Sequence, residues 1–403
     1  MQLSKLITLV VFGASAVVAQ KRQQPSGNSS ATIVELLTAP NNTLGVSKFV
    51  NFLQSDPAYQ PTINLLSQPG NYTCFVPNNR AINRLLMLWK AYAQSNNLNA
   101  TAYPPANLSI GNLTLADVVN YHVLDDKVQV ANMSNYVNVA HSILNNTKVD
   151  LLGTGLPVLI ENNATWKQFN NQTWLKTHGQ YLQYDVGNGV DDAAVRYHDL
   201  KASNGYVNVI NSVLIPPLSP SIVIEEADDV NDIADLLTTH PEIASTLDGM
   251  KNFTFFAPDD NALKRVNFKN MDNATIKNVI MNHLVEGVYY STNFTENANS
   301  TDGKFNLTTL NNGTLPIHVN GSSIILNNTA RVVEPNIFFN NGVMHVINKL
   351  LNGTSTNATT SSNTTTSSNA ATSSNAATST NAATNTNAAT NTNTATSTNT
   401  ATA

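Results

Sequence analysis

The stretch Tyr72-Thr73-Cys74-Phe75-Val76-Pro77-Asn78-Asn79-Arg80-Ala81 is written a second time as Phe253-Thr254-Phe255-Phe256-Ala257-Pro258-Asp259-Asp260-Asn261-Ala262. Two more blocks recur in the same order. Val118-Val119-Asn120-Tyr121-His122-Val123-Leu124 returns as Val279-Ile280-Met281-Asn282-His283-Leu284-Val285, and Asn204-Gly205-Tyr206-Val207-Asn208-Val209-Ile210-Asn211 returns as Asn341-Gly342-Val343-Met344-His345-Val346-Ile347-Asn348. Three matches in one order mark a duplicated folding unit.

Each block has a local reading. The first is a strand of aromatic and β-branched residues ending at Pro, after which Asn78 or Asp259 caps a short helix. The second closes an apolar helix, with Leu115, Val118 and Val119 at helical spacing and a His just beyond. The third is a turn at Asn-Gly, suited to positive φ, feeding an alternating strand. A helical segment opens each unit, around residues 32–37 and 232–237.

Strand, helix end and closing strand in this order resemble the fasciclin (FAS1) family. The resemblance covers residues 31–217 and 219–352. It implies an α+β fold of two tandem FAS1 domains, each a wedge-like β-sandwich of about seven strands with short helices along one edge. It also implies adhesion rather than catalysis. In animal members the Tyr-His segment is implicated in integrin-mediated adhesion, and Tyr121-His122 matches it residue for residue; the second copy has Asn282 before His283. The alternative for this His is structural, partly buried and hydrogen-bonded to backbone. A second adhesive motif of those members, an Asp-Ile context before the closing Asn-Gly, is matched in part by Asp199-Leu200 and Asn336-Ile337.

The copies differ in length between the blocks. Pro77 to His122 is 45 residues against 25 from Pro258 to His283, and His122 to Gly205 is 83 against 59 from His283 to Gly342. Insertions of this kind fall in surface loops, here near residues 86–113 and 161–191. The second carries Trp166, Phe169, Trp174, Tyr181 and Tyr184, which either stack on sugar or pack onto the first unit. Pro216-Pro217-Leu218-Ser219-Pro220 reads as a short, stiff linker.

The ends and the composition point to the secretory route. Residues 1–19 read as a signal peptide, with Lys5, an apolar run from Leu6 and the small residues Val17-Val18-Ala19. The sequence holds 21 Asn-X-Ser/Thr sequons, including Asn71, Asn107, Asn132, Asn163, Asn252, Asn273, Asn293, Asn312 and Asn320. Residues 353–403 are, Gly353 apart, Ser, Thr, Asn and Ala with little to bury, which predicts a disordered tail suited to O-glycosylation. The last residues lack the hydrophobic stretch of about 10–20 residues that a GPI signal needs, so release rather than anchoring is expected, with no membrane span after cleavage. The single cysteine, Cys74, forbids an internal disulfide and reads as a small buried hydrophobe.

Charged residues are 12% and the net charge is -5, with no basic cluster, so nucleic acid is not an expected partner. No Gly-X-Ser-X-Gly elbow, His-Glu-X-X-His helix or phosphate loop occurs, and the paired carboxylates Asp125-Asp126, Asp191-Asp192, Glu225-Glu226 and Asp228-Asp229 read as solvated or capping groups. No cofactor, metal or enzymatic activity is expected. The leading reading is a secreted glycoprotein that binds cell-surface or matrix glycoproteins or glycans. The alternative is a structural mannoprotein of a cell wall or vacuole with no specific ligand.

Overall fold

A computed structural model describes residues 24–98, 102–133, 137–162, 184–264, 266, 271–321 and 323–351. The signal segment, the tail from residue 353, and Trp166, Phe169, Trp174 and Tyr181 lie outside the described residues.

The first copy opens with helices α1 (Ile33–Thr38), α2 (Ser47–Leu53) and α3 (Gln60–Leu66) and enters strand β1 (Tyr72–Pro77). Asn78 then caps α4 (Asn79–Ser95), its Oδ1 accepting from the amides of Arg80 and Ala81. The hairpin β2 (Ser109–Ile110) and β3 (Leu113–Thr114) leads to α5 (Leu115–Tyr121), β4 (Val123–Leu124), β5 (Val137–His141), β6 (Pro157–Asn162), β7 (Tyr184–Gly187), β8 (Ala193–Ala202) and β9 (Gly205–Ile210). The second copy repeats the plan with α6 (Pro220–Glu226), α7 (Asn231–Thr239), α8 (Pro241–Gly249), β10 (Phe253–Pro258), α9 (Asp260–Leu263), α10 (Asn273–Asn282), β11 (Leu284–Glu286), α11 (Ser291–Ser300), β12 (Lys304–Thr308), β13 (Thr314–Asn320), β14 (Ser323–Leu326), β15 (Ala330–Phe339) and β16 (Gly342–Ile347).

The strand orders are β4-β1-β9-β8-β7-β6-β5 and β11-β10-β16-β15-β14-β13-β12, one topology twice. The opening and closing strands of each copy run parallel in the same register, Tyr72 opposite Gly205 and Phe253 opposite Gly342. The remaining sheet pairs are antiparallel. Strands from both ends of the order share one core: Val158 and Ile160 of β6 and Val186 of β7 lie in the same apolar cluster as Phe75, Val76 and Val207.

Three local readings change. The first insertion is in part helix, since α4 has 17 residues where α9 has 4. The glycine of the Asn-Gly turn serves close approach in both copies, and positive φ only at Gly205 (φ +158°): a Cβ on Gly205 would lie 1.9 Å from the Tyr72 carbonyl oxygen, and one on Gly342 2.4 Å from that of Phe253. The second copy opens one helix earlier than residue 232. Ser203 donates to the Ala31 carbonyl and Asn340 to that of Leu218, so Pro220 stands where Ile33 stands in the first copy. Asn204 Oδ1 accepts from the Ile33 amide at 2.9 Å, whereas Asn341 Oδ1 is buried without a partner, because proline has no N–H to offer.

The copies pack directly on each other. Val137 and Leu159 of the first meet Phe338 and Val343 of the second in an apolar cluster, and the Phe338 amide donates to the Asn188 carbonyl at 2.8 Å. Ile337 and Phe339 meanwhile face the second copy's own core, so the end of β15 is buried on both sides. Gly189 (φ +89°) sits at this contact, where a Cβ would lie 2.3 Å from the Asn336 carbonyl oxygen. Pro216 and Pro217 of the linker are buried rather than free.

Candidate functional site

The repeated His lies at the end of a helix and is shut away from solvent. His122 caps α5 and is 2% exposed. Its Nδ1 faces the Val118 carbonyl at 2.7 Å, and its Nε2 faces the Leu214 amide at 2.9 Å. A carbonyl only accepts and an amide only donates, so the ring is fixed as the neutral Nδ1–H tautomer. His283 repeats this with Val279 at 2.8 Å and Leu351 at 2.9 Å. Burial lowers each pKa to about 4, against the opposing pull of the carbonyl bond. Each ring clips the segment that follows the closing strand to the helix end.

Tyr121 is fully buried, and its hydroxyl donates to the Pro157 carbonyl at 2.7 Å. Its counterpart Asn282 is half-buried and accepts from Asn311. Asp199 and Asn336 both adopt positive φ, 52° and 67°, at register irregularities of β8 and β15. The Asp199 carboxylate accepts from the amides of Val130 and Ala131 at 2.7 and 2.8 Å, at the head of a 3-10 helix (Val130–Asn132). Burial pushes the Asp199 pKa up, yet the His198 hydrogen bond and these amides outweigh it and leave it below the usual carboxylate range. Asn336 Oδ1 accepts from Ser291, the first residue of α11, at 2.8 Å. Leu200 and Ile337 are core residues, each 1% exposed.

The motif residues therefore lie inside the fold, and among them Asp199 and Asn336 hold loops that reach the surface. Thr73 and Thr254 complete the arrangement: their hydroxyls accept from the amides of Val128 and Tyr289 and donate to the carbonyls of Asp126 and Gly287. These threonines sit inside the recurring blocks, as do Asn208 and His345, which accept from the amides of Asp199 and Asn336. Recurrence of a polar residue in an apolar strand was the signal that could have found them.

The loops so held wall a cleft of about 780 Å³ between the copies. Lys127, Gln129, Asn132 and His141 line it from the first copy, and Tyr290, Asn293 and Glu296 from the second. The Tyr290 ring packs edge-on against Phe338 at 5.4 Å, and Val128, Met133, Val137, Val139 and Val288 add apolar patches to a mainly polar wall. Donors and acceptors of both signs suit a polar, hydroxyl-rich ligand better than an apolar one.

Carboxylates also gather where the copies meet. Burial first, then Asp192, Asp185 and Glu334, holds Glu161 well above the usual range. Burial, then Asp229, Asp192 and Asp228, pushes Glu334 up to about 7, and burial, then Glu226 and Asp192, does the same for Asp191. These groups are more than the solvated pairs expected. Among the described residues no group of three or more His, Cys, Asp or Glu is placed to hold a metal ion, and no helix is long and apolar enough to cross a membrane. Cys74 is buried, its thiol pushed up to about 12 by burial alone, and Tyr184 packs inside β7 at 3% exposure. Of the named sequons, Asn71, Asn107, Asn132, Asn252, Asn273, Asn312 and Asn320 are exposed, Asn293 is half-buried, and Asn163 lies outside the described residues.

A family model described as "Fasciclin domain" matches residues 44–216 and 228–353. Among curated proteins, the chain is similar to a "Fasciclin-like arabinogalactan protein" of Arthroderma benhamiae, 27% identical over 180 residues, covering 43% of this chain and 40% of that protein. It is also similar to human periostin, 29% identical over 164 residues, covering 40% of this chain and 19% of periostin. The matched regions thus span less than half the length of either relative. Among solved structures, the FAS1 domain pair of the insect cell adhesion molecule fasciclin I is matched over 76% of this chain and 96% of its own, at 17% identity and a TM-score of 0.34.

Proposed function

The chain belongs to the fasciclin domain family, and from that premise we propose that it is a secreted adhesion protein whose contact region is the cleft between its two domains. Its partners are cell-surface or matrix glycoproteins or their glycans; it is not an enzyme and needs no cofactor. The observation that carries this reading is that both copies use buried motif residues to hold equivalent loops, and that these loops converge on one polar recess. In this reading Tyr121, His122, Asp199, Leu200, His283, Asn336 and Ile337 support binding without touching the partner. The location is the extracellular space or a cell wall.

The test is capture of the full secreted chain on a glycan array and on intact cells. Lys127→Glu and Glu296→Lys reverse charges on the two cleft walls and are expected to lower capture at least tenfold. Tyr121→Phe removes one buried hydrogen bond, costing about 1 kcal/mol of stability, and is expected to leave capture unchanged. Loss of capture in Tyr121→Phe alone would return the contact to the motif itself. A second reading, favoured by the 21 sequons, is a wall or vacuolar mannoprotein whose carbohydrate is its function. Normal capture by neither array nor cells, with wall defects rescued by either charge-reversed variant, selects it.

A further inference from the structure

Ten residues beyond the buried His, both copies carry a sequon: Asn132-Met133-Ser134 after His122, and Asn293-Phe294-Thr295 after His283. The equivalence is structural as well as numerical. Thr73 accepts from Val128 and Thr254 from Tyr289; two residues on, Asp199 accepts from Val130 and Asn336 from Ser291. Asn132 and Asn293 then occupy the same place in the repeated scaffold, two residues past the capped amide. Both line the interdomain cleft, one on each domain's wall.

A second pair of sequons recurs at Asn71 and Asn252, but there the fold explains the recurrence. Their threonines are the buried anchors Thr73 and Thr254, and neither asparagine lines the cleft. No comparable anchor fixes Thr295, whose hydroxyl reaches only the carbonyl of Ser291, one turn back in its own helix.

We infer that Asn132 and Asn293 are a matched pair of N-glycosylation sites whose glycans are seated at the cleft and control access to it. The inference rests on the secreted, cleft-binding reading above. In the transfer, the Asn Nδ2 forms a bond to C1 of the first sugar of a lipid-diphosphate-linked oligosaccharide. The C1–oxygen bond to the diphosphate breaks, the lipid diphosphate leaves, and one Nδ2 proton is released. Each asparagine keeps its present contacts afterwards. Asn293 Oδ1 still accepts from the Tyr290 amide at 2.9 Å, and one N–H remains for Glu296 at 3.5 Å. Asn132 donates one N–H to Gln129 at 2.7 Å, leaving the other position for sugar. Because Asn293 is half-buried, its inner sugars begin inside the recess, whose volume matches that of ordinary ligand sites of a few rings.

The experiment is site-resolved glycopeptide mass spectrometry of the full chain secreted from a eukaryotic host, before and after native treatment with a peptide N-glycosidase. Both Asn132 and Asn293 are expected to be occupied. Release at Asn293 is expected to be at least tenfold slower than at Asn71 or Asn252 in the native protein, and equal once the protein is denatured. Occupancy at Asn71 or Asn252 with either Asn132 or Asn293 bare overturns the pairing while leaving secretion standing. No occupancy anywhere overturns the pairing too and leaves the cleft-binding reading to the capture assay. Equal native release rates place the Asn293 glycan outside the cleft and overturn its control of access.

Discussion

Replacing His122 with Gln tests whether the buried ring is held neutral. The folded pKa is about 4 and the ordinary value 6.5, a difference of about 2.5 units, worth about 3.4 kcal/mol at 1.36 kcal/mol per unit. The folded value is depressed, so the unfolded chain takes up the proton first as pH falls. The stability this group contributes is complete above pH 6.5 and is lost as pH falls through 4. Gln does not titrate. At pH 7.5 the variant should be less stable than the parent by about 1–3 kcal/mol, the cost of disturbing two buried hydrogen bonds. That gap should shrink by about 3 kcal/mol by pH 4 and close or invert. Carboxylates that titrate in the same window are common to both proteins and drop out of the difference. All three tryptophans, Trp89, Trp166 and Trp174, precede the linker, so tryptophan fluorescence in urea follows the first domain alone. A gap that stays constant from pH 7.5 to 4 would refute the fixed Nδ1–H tautomer and the clip built on it.

Three other outcomes follow from the contact between the domains. Glu334 has a raised pKa, so the stability it contributes is present below about 4.5 and lost as pH rises through 7; Glu334→Gln should gain on the parent across that window, read as a melting-temperature difference that grows from pH 5 to pH 8. Phe338→Ala empties a buried ring site between the copies and should cost about 3–5 kcal/mol, seen in calorimetry as two domain transitions drawn apart. Gly189→Ala forces a Cβ onto the Asn336 carbonyl at positive φ and should destabilise by about 1–3 kcal/mol or more. Gly111→Ala is the control, with φ +57° and nothing within 4 Å, and should cost visibly less in the same urea titration.

The duplicated scaffold could be read from the chain because its signals are local. Strand β1 and its Asn78 cap, helix α5 and its His, and the closing strand all appear where spacing places them. That the first and third blocks lie side by side in parallel was not legible, since Tyr72 and Gly205 are far apart in sequence and parallel partners leave no turn between them. For the motif residues the chain left two readings open, surface contact or a structural part, for a related reason. Tyr, His and Asp are chemically suited to either, and only the distant partners Pro157, Leu214 and Val130 show what they brace. The continuous apolar run Ile337-Phe338-Phe339 did carry a sign of the second buried face, where the corresponding stretch of β8, Leu200-Lys201-Ala202, has a lysine in the place of Phe338. The cleft had no such sign, because it exists only once the two copies are packed.

The side-by-side parallel strands also decide how each domain meets mechanical load. A tether drawn tight pulls the start of β1 one way and the end of β9 the other, along the strand axes. Six residue pairs, from Tyr72 opposite Gly205 to Pro77 opposite Ile210, are then strained together instead of unzipping one by one. The same clamp recurs between β10 and β16, so the chain places two shear-resistant links in series.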